Sequence, residues 1–313
     1  MPPPYAASSG SRAERMTVSR TLRIGTRGSA LAMAQASLGV EALAGLVGDA
    51  IEIVPIATQG DAISARHPSG GWVETDGQFT KEIERALLDG RIDLAVHSYK
   101  DLPTADVDGL VIGAVLPRAD ARDCLVTRDG GPISTLPEGA RVGTSSPRRA
   151  AQLRSARPDL VALPIRGNVE TRLRRLRDGE YDAVLLAAAG LDRLGISVPD
   201  HARLPFELSL PAPAQGALAL QVRAADTELV ARLAVVDDRP TRIAVEVERR
   251  LLRRIGGGCV APLGALAQVN GEQVRLRAAY DAGSGRLARA DVLGAVDARD
   301  AVVEEVAVAV LAA

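Results

Sequence analysis

One pattern occurs twice in this chain and limits what it can fold into. Arg23-Ile24-Gly25-Thr26-Arg27-Gly28-Ser29 and Val142-Gly143-Thr144-Ser145-Ser146 each carry a hydrophobic run through a Gly-Thr turn into a helical stretch. Asp89-Gly90-Arg91-Ile92-Asp93-Leu94-Ala95 and Asp178-Gly179-Glu180-Tyr181-Asp182-Ala183-Val184 each stop a helix at Asp-Gly, pass two residues and open a strand on Asp. Glycine suits that stop because it takes the left-handed conformation that ends helices. Strands alternating with helices in this way predict an α/β fold with a largely parallel sheet. The recurrence predicts two similar α/β lobes, with a cleft between two sets of strand C-termini.

The chain has 313 residues, enough for two or three domains. Pro117-Arg118-Ala119-Asp120-Ala121 and Pro211-Ala212-Pro213-Ala214-Gln215-Gly216 read as paired hinges, 117–121 and 211–216. They divide a first lobe, 21–116 with 217–236, from a second, 122–210. A small α+β domain, 238–313, opens on an amphipathic helix (Arg239–Arg254) that runs into Gly256-Gly257-Gly258-Cys259. Residues 1–20 read as a flexible tail without the apolar core of a secretory signal. Gln59–Gln78 is polar, Gly-rich and long for a connector, which predicts a mobile functional loop. No apolar run approaches the roughly 20 residues of a membrane span. The expectation is a cytoplasmic protein with reduced thiols.

Charge narrows the partner. With 38 Lys+Arg against 39 Asp+Glu, the surface as a whole offers no pull toward nucleic acid or an anionic membrane. Two distant cysteines and three scattered histidines exclude a disulfide scaffold and predict no metal. Cys124 reads as a small buried hydrophobe. Only Lys81 and Lys100 are lysine, and ten arginines crowd 141–177 against Asp159 and Glu170 alone. Ser146 can cap a helix with Pro147 at its first position. Ser145, Ser146, Arg148 and Arg149 then gather at a helix N-terminus, which attracts anions. Val169, Leu173 and Leu176 define an apolar helix face, placing Arg172 nearer the cleft than Arg174. Arg166 stands in a turn after a strand. Nucleic acid would call for aromatic partners, yet aromatics are 2% of the chain, too few for base stacking. A small polycarboxylate gripped by arginine forks fits better.

These residues resemble the porphobilinogen deaminase (hydroxymethylbilane synthase) family. The likeness runs from about residue 21 to 313. It is strongest at Arg23–Ser29, Ala95-Val96-His97-Ser98-Tyr99-Lys100-Asp101-Leu102-Pro103, Val142–Arg149, Leu163–Asn168 with Thr171-Arg172-Leu173, and Gly257-Gly258-Cys259; Pro213–Ala217 fits too. It implies two lobes like type II periplasmic binding proteins plus a small α+β domain. It implies a monomeric transferase that joins four porphobilinogen molecules head to tail with loss of ammonia, then releases hydroxymethylbilane by hydrolysis. It also implies a dipyrromethane cofactor held through a thioether to Cys259, with no metal, nucleic acid, membrane or obligate protein partner. By the same resemblance Asp101 is the catalytic carboxylate. Ser98, Lys100, Thr144, Ser145, Ser146, Arg148, Arg149 and Gln215 would hold the cofactor. Arg27, Ser29, Arg166, Arg172 and Arg193 would hold substrate carboxylates.

The chemistry calls for such a set. Each pyrrole brings an acetate and a propionate, and arginine pairs with carboxylates through charge-assisted bonds. Loss of ammonia leaves a cationic azafulvene, which a carboxylate over the ring N–H groups stabilises. The family often has arginine where this chain has Gln59, and a lysine where it has Asp76. A non-catalytic anion-binding protein of the same two-lobe fold is the alternative; it would need neither Asp101 nor Cys259.

Overall fold

The computed structural model describes residues 21–46, 50–58, 80–283 and 285–312, with Cys259 described by its backbone alone. The 1–20 tail and the 59–78 loop, with Gln59 and Asp76, lie outside the described residues. The first lobe runs β1 (Leu22–Arg27), α1 (Ala30–Leu43), β2 (Ile51–Ile56), α2 (Lys81–Leu88), β3 (Leu94–Ser98), a 3-10 turn (Tyr99–Asp101) and β4 (Leu110–Val115). The second runs β5 (Asp123–Thr127), β6 (Arg141–Gly143), α3 (Pro147–Ala156), β7 (Val161–Leu163), α4 (Val169–Arg177), β8 (Ala183–Ala187) and α5 (Ala188–Arg193). The chain then returns through β9 (Leu218–Arg223) and α6 (Thr227–Leu233) to the first sheet. The C-terminal unit consists of α7 (Arg239–Ile255), β10 (Leu263–Asn270), β11 (Gln273–Tyr280), β12 (Ala288–Ala295) and α8 (Arg299–Leu311). Among the described residues no helix is long and apolar enough to cross a membrane.

The two lobes are built alike. The first sheet has the order β2-β1-β3-β9-β4 and the second β5-β8-β6-β7. In each, three strands are parallel and one joins the third of them antiparallel. The sequence echoes occupy equivalent places. Arg23 bonds both oxygens of Asp93 and the Gly90 carbonyl; Arg141 does the same with Asp182 and Gly179. The Asp that opens each third strand thus pins the start of the first strand from across the sheet. Gly25 and Gly143 also match. A Cβ at Gly25 would stand 2.2 Å from Ile92 Cδ1, and one at Gly143 3.1 Å from Tyr181 Cδ1. Both positions lack a side chain because the residue before each third strand packs there. Strands β3 and β8 are apolar and almost wholly buried, as central strands covered on both faces must be.

The C-terminal unit is a three-stranded antiparallel sheet, β10-β11-β12, packed on α7 and α8. Its helix α7 ties the parts together. Glu248, wholly buried, accepts from Arg118 Nη1 at 2.6 Å and Nη2 at 3.0 Å. It also accepts from the Ala214 and Ala267 N–H groups at 2.6 and 2.7 Å. One carboxylate therefore joins both segments that pass between the lobes to the third sheet, with its lone pairs well satisfied. Ala214 carries φ 63° there, a strained conformation for alanine that such surroundings maintain.

Candidate active site

The first wall of the site comes from strand ends of the first lobe. β3 stops at Ser98 and the chain enters the 3-10 turn that ends on Asp101. Asp101 is half-buried and lines a pocket with Thr26, Arg27, Ser29, His97 and Ser98. Among the described residues, no hydrogen bond or ion pair engages its carboxylate. Its neighbours are fixed. Ser29 caps α1 by accepting from the Ala32 N–H, and Gln35 Nε2 donates to Ser98 Oγ at 2.8 Å. Burial pushes His97 down to about 4 against the raising effect of Gln221, so it is uncharged at neutral pH. It donates from Nε2 to Gln221 Oε1 at 3.0 Å.

The second wall is organised by an acid that the sequence does not single out. Asp123 opens β5 and is wholly buried. Arg149 donates to its Oδ1 from Nη2 at 2.7 Å and Nε at 3.0 Å. Arg148 Nη1 donates to its Oδ2 at 2.5 Å, and Ser209 Oγ at 3.1 Å. Burial alone would raise this carboxyl, but the two guanidiniums outweigh it and hold it well below the usual range. Gln215 links the walls: its Nε2 donates to Asp123 Oδ1 at 2.9 Å and its Oε1 accepts from Lys100 Nζ at 3.1 Å. Burial lowers Lys100 to about 8, offset in part by Asp101.

The hydroxyls of the Gly-Thr turn in this lobe are engaged with backbone. Thr144 Oγ1 accepts from the Ser146 N–H, and Ser146 Oγ accepts from the Arg149 N–H to start α3. Ser145 Oγ donates to the Ile165 carbonyl at 2.8 Å and accepts from its N–H at 3.0 Å. It thereby fixes the turn that carries Arg166, which is half-buried. On α4, Arg172 is half-buried and Arg174 exposed. Arg172 Nε donates to the Gly167 carbonyl at 2.9 Å. Among the described residues no carboxylate pairs with it, and burial lowers it to about 10. Arg193 donates from Nη2 to the Gly216 carbonyl at 2.7 Å, while among the described residues its buried Nε meets no hydrogen-bond partner.

After α7 the backbone reverses through Gly256, Gly257 and Gly258, with φ of 84°, 83° and 54°. Only glycine takes three such conformations in a row without strain. The turn delivers Cys259 into a 3-10 turn, Gly258–Val260.

The donor set suits a ligand with several carboxylates. Lys100 feels the charges of Arg148 and Arg149, Arg148 and Arg172 each feel Arg149, and among the described residues Asp101 and Asp123 are the acids that act on Lys100. The orphaned Nε of Arg193 is a further donor in search of an acceptor. A polyanionic dipyrromethane fits these residues.

Asp123 and Gln35 are the residues that sequence reasoning missed. The available signal for Asp123 was an acid opening an apolar strand directly after a hinge, with an Arg-Arg pair downstream. Asp123→Asn is expected to cost about 3–5 kcal/mol of stability, because it leaves buried guanidiniums uncompensated. Since the folded carboxyl lies below its unfolded value near 4, its contribution is complete above that pH. It is lost as the pH falls toward the lowered value, where the unfolded chain takes up the proton first. Urea unfolding of parent and variant should therefore differ widely at pH 7, with the gap narrowing by about 1.4 kcal/mol for each pH unit below about 4.

Comparison with known proteins bears on the whole chain. Residues 22–231 match the family model described as "Porphobilinogen deaminase, dipyromethane cofactor binding domain". Residues 242–307 match "Porphobilinogen deaminase, C-terminal domain". A porphobilinogen deaminase of Roseiflexus sp. (strain RS-1) is 46% identical over 271 residues, covering 86% of this chain and 89% of its own. One from Desulforudis audaxviator (strain MP104C) is 44% identical over 306 residues, covering 93% and 94%. Among solved structures, a putative methionine-binding lipoprotein from Bacillus subtilis is 14% identical, with a TM-score of 0.43 over 69% of this chain and 89% of that one. A likeness that slight adds nothing to the chemistry of the site.

Proposed function

The chain belongs to the porphobilinogen deaminase family, and we propose that the cleft between its two lobes is where the family's reaction takes place, with Asp101 as the catalytic carboxylate. The reaction joins four porphobilinogen molecules head to tail with loss of ammonia and ends in hydrolytic release of hydroxymethylbilane, in tetrapyrrole biosynthesis. The single feature that carries the assignment is the half-buried carboxylate of Asp101, which makes no hydrogen bond or ion pair among the described residues and faces a pocket beside an arginine-rich wall. A carboxylate that accepts no hydrogen bond among the described residues is available to a ligand N–H. As ammonia leaves the aminomethyl carbon of porphobilinogen, positive charge spreads to the pyrrole nitrogen. Asp101 lowers the energy of that charge and accepts the proton given up when the new carbon–carbon bond restores aromaticity. A non-catalytic anion binder would leave Asp101 without a task.

The dipyrromethane, when bound, supplies the pyrrole from which the chain of rings grows. Cys259 would anchor it through sulfur, and the glycines before it free the backbone to present that residue. Ser98, Lys100, Thr144, Ser145, Ser146, Arg148, Arg149 and Gln215 would surround it, several of them by holding the backbone or the arginines in place. Lys100 and Gln215 bring a cation and an amide to the junction of the lobes. Arg27, Ser29, Arg166, Arg172 and Arg193 would receive the carboxylates of incoming and growing chain. We read the protein as a monomer of the cytoplasm that needs no metal, nucleic acid, membrane or protein partner.

The test is product formation from porphobilinogen, with four ammonia released for each linear tetrapyrrole. A protein that binds porphobilinogen and releases no ammonia would overturn the proposal. Arg172→Leu removes a guanidinium that no acid among the described residues pairs with, so folding should tolerate it. It is expected to raise KM or slow elongation about tenfold or more while leaving the melting temperature nearly unchanged. An unaltered KM with normal elongation intermediates by intact mass would remove Arg172 from the site.

A further inference from the structure

The 3-10 turn that presents Asp101 has little rigidity of its own. It is three residues long and is closed by a single bond from the Leu102 N–H to the Tyr99 carbonyl at 3.3 Å. Such short turns take their shape from what surrounds them. Asp101 has no bond among the described residues to hold it, so its position depends on the backbone on either side. That backbone is gripped from behind by one side chain of the C-terminal unit. Arg249 on α7 donates from Nη1 to the Leu102 carbonyl at 2.9 Å and the Tyr99 carbonyl at 3.3 Å. Its Nη2 donates to the Pro103 carbonyl at 2.5 Å. Its guanidinium also lies 4.6 Å from the centroid of the Tyr99 ring, a favourable cation–π distance. One turn further along the same helix, Arg253 Nη2 donates to the Thr104 carbonyl at 2.5 Å.

We propose that Arg249 is a positioning residue for the reaction, holding the carbonyls before and after Asp101 so that the carboxylate keeps its place in the pocket. The planar fork of arginine, with two terminal nitrogens, reaches these carbonyls better than the single nitrogen of a lysine ammonium. The preceding residue, Glu248, holds both segments that pass between the lobes. The helix that carries both residues ends at Gly256, three residues before Cys259. The distance along one helix therefore relates the turn bearing Asp101 to the loop bearing the cofactor cysteine.

The inference rests on Asp101 acting in catalysis. The test compares Arg249→Met and Arg249→Lys, each in the parent and in an Asp101→Glu background, as holoenzymes whose loading is checked by intact mass. Arg249→Met is expected to lower kcat about thirtyfold with KM within about threefold, and Arg249→Lys to recover part of the loss. In the Asp101→Glu background, where the carboxylate is already displaced, Arg249→Met should cost less than about threefold more. A kcat within about twofold of the parent in both Arg249 variants, beside an impaired Asp101→Glu enzyme, would overturn this inference alone. So would losses that multiply in full, which mark a merely structural arginine. If Arg249→Met does not fold, the Arg249→Lys pair decides by the same two comparisons. An Asp101→Glu enzyme with parental kcat would instead overturn the role of Asp101, and this inference with it.

Discussion

Asp101→Asn is expected to fold, load its cofactor and melt like the parent, and to lose turnover by about a thousandfold. The two halves of this expectation have separate causes. Stability should hold because the carboxylate makes no hydrogen bond or ion pair among the described residues, so the amide abandons no partner. Turnover should fall because asparagine nearly matches the shape of aspartate but carries no charge and cannot accept a proton. Both contributions are needed at the same moment, when positive charge reaches the pyrrole nitrogen. A neutral amide oxygen supplies a weaker dipole in place of a full charge, and general-base help is worth about a hundredfold or more by itself. Steady-state ammonia release and thermal melting on the same preparation check both halves. Retention of a tenth of the parental rate would contradict a catalytic carboxylate.

Cys259→Ser is expected to purify without the mass of two pyrrole units that the parent carries, and to show no sustained turnover. A thiol is a few per cent thiolate near neutrality and intrinsically nucleophilic, whereas a serine hydroxyl is essentially un-ionised there and a far weaker nucleophile. The glycines of positive φ at 256–258 are unchanged by the substitution, so the loop should keep its course. Intact mass reads the covalent bond directly and does not depend on activity. A two-pyrrole adduct surviving in Cys259→Ser would move the attachment to another residue. An unmodified parent that is active would remove the covalent cofactor altogether.

The lobes were legible because their signals are local. Asp-Gly stops and Gly-Thr turns mark where each strand and helix ends, and a repeated pattern of such marks implies a repeated unit. That Arg172 is less exposed than Arg174 was legible because α4 is long enough for its apolar face to show. Arg193 was not: α5 spans six residues, too few to reveal a buried side, and the resemblance alone pointed to it. Contacts distant in sequence were illegible for a different reason. Asp123 meets its arginines 25 and 26 residues away, and Glu248 meets Arg118 130 residues away. No periodicity encodes such pairs; the fold creates them. The 3-10 turn at Asp101 was illegible because three residues carry no pattern of their own.

The near-exclusive use of arginine has a consequence that Lys100 makes visible. Burial brings this lysine to about 8, within reach of the pH inside a cell, so a share of its molecules is neutral there. The same effect on Arg172 and Arg193 leaves both at about 10, still cationic at any pH at which the protein works. An array of buried lysines in their place would lose charge with each modest rise in alkalinity, and with it the proposed grip on a lengthening anionic chain. Arginine would make the strength of such a clasp indifferent to these fluctuations, and half-buried Lys100 places at the junction of the lobes a charge that can come and go and that Asp101 acts on.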